Sequence, residues 1–183
     1  MAEVREGATA PTHGPGDPAG PLEEQLINTF NALRDELLST LVYVLGNRHD
    51  AQDAAQDAFL KCWGARHQLG AVQNLRAWIF RVCFNTAKDL QRSAWHRRSR
   101  PLGDGFTMVA KEAAPSQTVE EQESVERLRR AILDLRQEEK EVFLLRQNGE
   151  LTYEQIAEMR RCPVGTVKSQ MRSALDKLRK LMN

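Results

Sequence analysis

The side chains best suited to recognition chemistry lie close together near the C-terminus: Thr166, Lys168, Ser169, Gln170, Arg172 and Ser173. Short hydroxyl and amide groups can donate to and accept from base edges, and cations among them can reach phosphates, which position a protein without reading sequence. Projecting Pro163 to Lys180 at about 100° per residue separates two faces. Val164, Val167, Met171, Leu175 and Leu178 gather on one side; Thr166, Ser169, Gln170, Ser173 and Lys177 lie opposite, with Lys168 and Arg172 on the flanks. The element before it is marked by Thr152, three residues ahead of Gln155, a capping-box spacing, and carries Ile156, Ala157 and Met159. A short turn over Arg160 to Cys162 leads to Pro163, which suits the first position of a final helix. Two helices so joined form a helix-turn-helix pattern, whose second helix enters the DNA major groove. A polar face on an ordinary bundle helix has the same appearance, so these residues alone leave both readings open.

The elements that must hold this pair are helical throughout. Leu22, Leu26, Phe30, Leu33, Leu37 and Leu41 recur at spacings of three and four and form one apolar stripe. Asp50 to Trp63 puts Ala51, Ala54, Ala55, Ala58, Phe59 and Cys62 on a second stripe, with Asp53, Gln56 and Asp57 facing away. Gly64 to Asn74 reads as a loop. Leu75 to Leu90 gives a third helix with Leu75, Trp78, Ile79, Val82, Cys83, Thr86 and Leu90 on one side. Val125, Leu128, Ile132 and Leu135, then Val142, Phe143 and Leu145, restore helical spacing until Asn148 and Gly149 end it. No alternating strand pattern occurs. Residues 1–21 hold Pro11, Pro15, Pro18 and Pro21 and read as a disordered tail. Gly103, Gly105 and Pro115 mark a linker over 101–123. The fold class is therefore all-α, with two small helical domains, 22–100 and 124–183, joined by a flexible linker.

Charge follows these divisions. The 183 residues carry 26 basic and 25 acidic side chains, a net of +1, which suggests no partner until it is mapped along the chain. Leu22 to Leu60 has seven acids and two bases; Arg76 to Arg100 has seven bases and one acid. Gly103 to Glu126 has six acids and one base; Met159 to Asn183 has seven bases and one acid. Two basic blocks flanking an acidic one are the usual electrostatic footprint of nucleic-acid binding, although solvated helix faces can look alike. Absent an 18-residue apolar run, no membrane-spanning helix is expected. The first 20 residues lack the apolar stretch of a signal peptide, which points to the cytoplasm. Cys62, Cys83 and Cys162 are odd in number and form no CxxC pair, so reduced, mostly buried thiols are expected rather than disulfides or zinc. His13, His49, His67 and His96 have no HExxH or similar metal spacing. No GxxxxGK[ST] loop or nucleophile motif is present, and His49–Asp50 is better read as a helix start. No catalytic residue, metal or cofactor is assigned.

The stretch "LTYEQIAEMRRCPVGTVKSQMRSALDKLRKL", and "CPVGTVKS" above all, resembles the region-4 domain of bacterial RNA polymerase sigma factors. Upstream, "DAQDAAQDAFLKCW" is similar to the region-2 helix that docks on polymerase. "LRAWIFRVCFNTAKDLQR" is similar to the following helix, which binds the opened promoter. With these two domains and a short linker, the chain resembles an extracytoplasmic-function (ECF) sigma factor over Leu22 to Arg100 and Ser124 to Met182.

The resemblance implies a division of labour and a set of partners. Core RNA polymerase would be held through its β′ clamp helices and β flap, promoter DNA through both domains, and an anti-sigma factor would be a further partner. Asp53, Gln56 and Asp57 would face the clamp helices; the alternative is a solvated acidic face. Arg76, Arg81, Asn85 and Lys88 would meet the non-template strand of the −10 element, with the loop Arg66 to Asn74 holding a base turned out of the stack. That work needs cations for the backbone and a stacking surface for an unpaired base. Phe80 and Phe84 project away from the main stripe beside Arg81 and Lys88 and could stack on such bases, or pack against the first helix instead. Trp78 belongs to the core; Trp95 fits either role. Lys168, Ser169, Gln170 and Arg172, with Thr166 and Ser173 on the same helix, would read the −35 element in duplex form. The family often has Arg where Lys168 and Gln170 stand, and since Gln favours adenine and Arg guanine, the preferred sequence is expected to depart from that of better-known members. The acidic linker would run toward the RNA-exit channel of polymerase. The rival reading is a helix-turn-helix regulator that never joins polymerase; the N-terminal motifs argue against it.

Overall fold

The computed structural model describes residues 20–97 and 119–182, with side chains over 20–93 and 123–181. Residues 1–19 and 98–118, on which most of the expected tail (1–21) and linker (101–123) fall, and the side chain of Trp95 lie outside these. Seven α-helices occur among the described residues: α1 Pro21–Leu45, α2 Arg48–Gly64, α3 Leu75–Arg97, α4 Val119–Leu133, α5 Gln137–Gln147, α6 Tyr153–Arg160 and α7 Val164–Met182. The Gly64–Asn74 stretch, expected as a loop, contains a short 3-10 helix, Arg66–Ala71.

Local chemistry sets the helix ends. The Glu23 carboxylate accepts from the Gly20 N–H at 2.7 Å, opening α1 behind Pro21. Gly46 closes it at φ 83°, in the left-handed region that glycine enters without cost. The Asn47 side-chain oxygen accepts from the Asp50 N–H at 2.8 Å and starts α2. The capping box read from Thr152 and Gln155 forms: Thr152 N–H donates to Gln155 Oε1 at 2.8 Å, and Gln155 N–H to Thr152 Oγ1 at 3.2 Å. Pro163 falls just ahead of α7, not within its first turn, and its carbonyl accepts from Thr166 and Val167.

Helices α1, α2 and α3 pack on one another through Leu26, Phe30, Leu33, Leu37 and Leu41 of α1, Ala51, Ala54, Ala58 and Cys62 of α2, and Ile79 and Cys83 of α3. Small residues on α2 allow the close approach. Leu22, placed on the α1 stripe by spacing, is exposed. The run from Val125 to Leu145 is two helices, broken at residues 134–136, and α4 starts at Val119, inside the stretch expected as linker.

The C-terminal helices do not stand apart. Val142, Leu145, Leu151, Ile156, Val167 and Met171 belong to the same contiguous apolar cluster as the α1–α3 core. A second cluster, Ala131, Ile132, Leu135, Ala174 and Leu178, takes in Tyr43 from α1. The seam is also hydrogen-bonded: Asn148 Nδ2 donates to Thr40 Oγ1 at 2.9 Å, and the Gln137 amide donates at 3.2 Å to the Val44 carbonyl, which also accepts from Gln91 of α3 at 2.7 Å. These bonds satisfy polar groups that apolar contact would otherwise leave unpaired.

Candidate nucleic-acid interface

Helix α6, the Arg161–Cys162 turn and α7 form the helix-turn-helix. Arg161 adopts φ 53°, ψ 47°, the left-handed geometry that lets the chain reverse between the two helices. Val167, Met171, Ala174 and Leu178 seat α7 against its neighbours. Lys168, Ser169 and Arg172 are exposed, while Thr166, Gln170 and Ser173 are half-buried. The Ser169 hydroxyl donates back to the Thr166 carbonyl at 2.8 Å. Gln170 Oε1 accepts from Arg160 Nη1 at 2.5 Å. Ser173 Oγ donates to Glu139 Oε1 at 2.7 Å, and Lys177 Nζ contacts both Glu139 oxygens at 2.9 and 2.7 Å. Six candidates thus share one helix, but only the exposed three reach freely outward; Gln170 and Ser173 are tied to α6 and α5.

Glu139 is the anchor of that tie. Burial pushes its carboxyl pKa up, but bonds from Lys177, Ser173 and the Arg136 N–H outweigh it, so the carboxyl titrates below its ordinary range. The neighbouring Lys140 is the reverse case. Burial lowers its pKa against an opposing pull from Asp134, and its ammonium donates to the Leu133 carbonyl at the end of α4.

The cationic candidates on α3 are all engaged. Arg76 Nε donates to the Asn148 carbonyl at 2.8 Å, with Glu150 at 3.5 Å and Glu36 also paired to its guanidinium. Arg81 meets Glu158 at 2.7 Å, and Lys88 meets Glu141 at 2.6 Å. Asn85 is exposed. Phe80, expected to offer a ring to an unpaired base, is 1% exposed. It sits beneath the Arg76 guanidinium, 5.7 Å from ring centroid to cation, with its Cβ close against Gly149. Phe84 is buried too, under Lys88. Both rings pack at the seam in this arrangement because α3 buries a second side. The stretch expected to cradle a flipped base has Arg66 fixed by Glu23 at 2.8 Å and stacked over Trp63. His67 and Gln68 are exposed there.

The third candidate surface is the outer face of α2. Asp53, Gln56 and Asp57 are exposed, with His49 Nδ1 3.2 Å from Asp53. Leu60 continues the face, 59% exposed. Its position three and four residues beyond Asp57 and Gln56 is the signal that places it there, although the sequence reading assigns it to neither face. Also missed were Glu141 and Arg160, which meet the α3 and α7 candidates; no local pattern marks a partner 53 residues away.

Among the described residues no cluster of three or more His, Cys, Asp or Glu could hold a metal ion. Cys62 and Cys83 are free and buried; burial pushes the Cys62 thiol up to about 12 and raises Cys83 further, with Cys62 adding to it. They act as small apolar packing groups. Cys162 is free and half-buried. Among the described residues, no helix is long and apolar enough to cross a membrane.

The geometry matches known proteins along most of its length. Residues 29–97 match the family described as sigma-70 region 2, and residues 125–178 the family described as sigma-70, region 4. The chain is 28% identical over 166 residues to the ECF RNA polymerase sigma factor SigW of Bacillus subtilis, covering 86% of this chain and 89% of that protein. It is 29% identical over 161 residues to the ECF RNA polymerase sigma factor EcfG of Rhodopseudomonas palustris, covering 83% and 86%. In fold it is similar to the sigma factor RpoE of Bartonella quintana, solved in complex with the anti-sigma factor NepR. The TM-score is 0.66 at 22% identity, over 87% of this chain and 94% of that one.

Proposed function

The chain belongs to the extracytoplasmic-function branch of the sigma-70 family, and from that premise we propose that it is a non-enzymatic specificity subunit working in the cytoplasm. It binds core RNA polymerase, recognises −10 and −35 promoter elements and helps melt the start site. The outer face of α2, with Asp53, Gln56, Asp57 and Leu60, docks on the β′ clamp helices, and the 124–183 domain engages the β flap. Lys168, Ser169, Gln170 and Arg172, with Thr166 and Ser173, address the −35 duplex. Arg76, Arg81, Asn85 and Lys88 hold the −10 single strand, with Phe80 available once the seam parts. Melting without ATP is feasible because capture of a flipped base offsets about a few kcal/mol of unstacking.

The observation that carries this reading is the ordered pairing, on one chain, of the α2–α3 helices with an α6–α7 helix-turn-helix, matched by regions 2 and 4. A helix-turn-helix regulator acting without polymerase leaves α2 and α3 unexplained. The seam adds a requirement. Arg76, Arg81 and Lys88 are neutralised partly by acids of the C-terminal half, so DNA must displace those acids and the two halves must part. An anti-sigma protein that held the halves together would keep the cations occupied. In vitro run-off transcription from a genomic promoter library, with native core enzyme and the full chain, tests the reading. Start-site-specific transcripts that depend on the added chain are expected, and their absence overturns it.

A further inference from the structure

Gln170 has an amide that, free to turn, would present both an acceptor and donors to a base edge. We propose that Arg160 removes that freedom, fixing Gln170 as a donor-only reader that prefers guanine over adenine at the −35 element. The inference rests on Gln170 reading a base, as set out above, and adds Arg160 as the positioning residue that decides which base.

A guanidinium can donate but never accept. The contact from Arg160 Nη1 at 2.5 Å therefore requires the Gln170 oxygen to face it and turns the Gln170 NH2 group away. The orientation follows from the partner's chemistry. Arg160 is itself held. It is the last residue of α6, its side chain is 11% exposed, and its Nε lies 3.4 Å from Glu141 Oε2 on α5. Glu141 is 3% exposed at the side chain and also accepts from Gln137 of α5 at 3.1 Å. Those partners all lie in the C-terminal helices, so the Glu141–Arg160–Gln170 chain survives when Lys88 leaves Glu141 and the halves separate.

The consequence is set by the base edges. In the major groove adenine offers N7 as acceptor and N6 as donor, and glutamine reads it with oxygen and nitrogen together. Turned toward Arg160, the Gln170 oxygen faces the protein, so the NH2 group is what the side chain presents to the groove, and a donor there cannot receive the N6 hydrogens. Guanine offers only acceptors there, N7 and O6, which suits an outward NH2 group. The residue type alone points to adenine; its neighbour reverses the preference.

The test is binding of −35 libraries, randomised one position at a time, by the full chain assembled with core polymerase and read by sequencing. The unmodified protein is expected to favour guanine over adenine about fivefold or more at one position, and Q170A to flatten that position alone. R160M should shift the same position toward adenine and leave the others unchanged. R160K, whose ammonium also only donates, should keep guanine. If the apolar side chain disturbs the turn, R160S is too short to reach Gln170 and should give the same shift. A Q170A profile unchanged at every position overturns the inference by removing the base reading beneath it. A Q170A effect at one position, with guanine retained there in R160M and R160S, overturns the role of Arg160 while sparing that reading. A uniform loss across all positions in both Arg160 variants likewise overturns it, since a merely structural role predicts that result.

Discussion

Lys88 of α3 and Glu141 of α5 meet at 2.6 Å, and the Glu141 side chain is 3% exposed. A cation on the helix proposed to face DNA is thus bound to an acid sealed within the other half. The surrounding pairs, Arg81 with Glu158 and Arg76 with Glu150, are open to solvent. Of these three ionic ties one is buried on its acidic side and two form an exposed rim, and they differ in how they respond to change.

Loosening the rim frees cations without harming the core. The double variant E150Q/E158Q is expected to bind a fluorescent −10 non-template oligonucleotide roughly two- to tenfold more tightly, each exposed pair being worth about 0.2–1 kcal/mol. Fluorescence anisotropy on the full chain measures this. Unchanged or weaker binding would mean that Arg76 and Arg81 do not limit access.

Glu139 makes stability pH-dependent. Its folded carboxyl titrates below the ordinary value of 4.5, so the contribution is complete above the unfolded-chain value and is lost as pH falls through the folded one. E139Q should lower stability at neutral pH by about 1–2 kcal/mol, the worth of charge-assisted bonds. The difference from the unmodified protein should shrink in acid. Urea unfolding at pH 7 and at pH 3 checks the sign; a gap that widened in acid would contradict it.

Leu60 tests the proposed polymerase-docking face of α2 separately from folding. Because it is exposed, L60A should leave the thermal midpoint of the free chain within about a degree or two, surface changes being worth about half a kcal/mol or less. If the side chain is buried by the β′ clamp helices, its loss removes about 1.5–3 kcal/mol of apolar contact, a tenfold or greater drop in core-enzyme affinity. Competition against a labelled sigma factor reads that drop.

Gly149 tolerates no side chain. An added Cβ would come within 2.7 Å of the Leu145 carbonyl oxygen, 2.8 Å of Leu151 Cδ1 and 3.2 Å of Phe80 Cβ. G149A should therefore cost about 1–3 kcal/mol and lower the melting temperature of the free chain. A midpoint equal to that of the unmodified chain would show that the turn gives way easily.

Much of this fold is legible where a local rule has one answer. The Thr152–Gln155 box, the stripe from Leu26 to Leu41 and the alanine face of α2 follow from spacing, because each helix there buries one side. On α3 that logic fails. The projection chose the side of Ile79 and Cys83, yet Ala77, Phe80, Phe84 and Ala87 are buried as well. A wheel drawn for one buried stripe cannot represent a helix covered on two. The break between α4 and α5 was invisible for a related reason, since Ile132, Leu135 and Val142 remain apolar through it. The helix bearing the −35 candidates was readable; that Ser173 and Gln170 are tied to Glu139 and Arg160 was not, because those partners are distant in sequence.

The unbroken apolar cluster from Leu26 to Met171 has a thermal corollary. Parting the halves wets oily surface, and the force that resists wetting fades on cooling. A chilled cell would thus hold this molecule closed less firmly than a warm one, since the exposed pairs, each worth about 0.2–1 kcal/mol, cannot make up what the oily seam gives away.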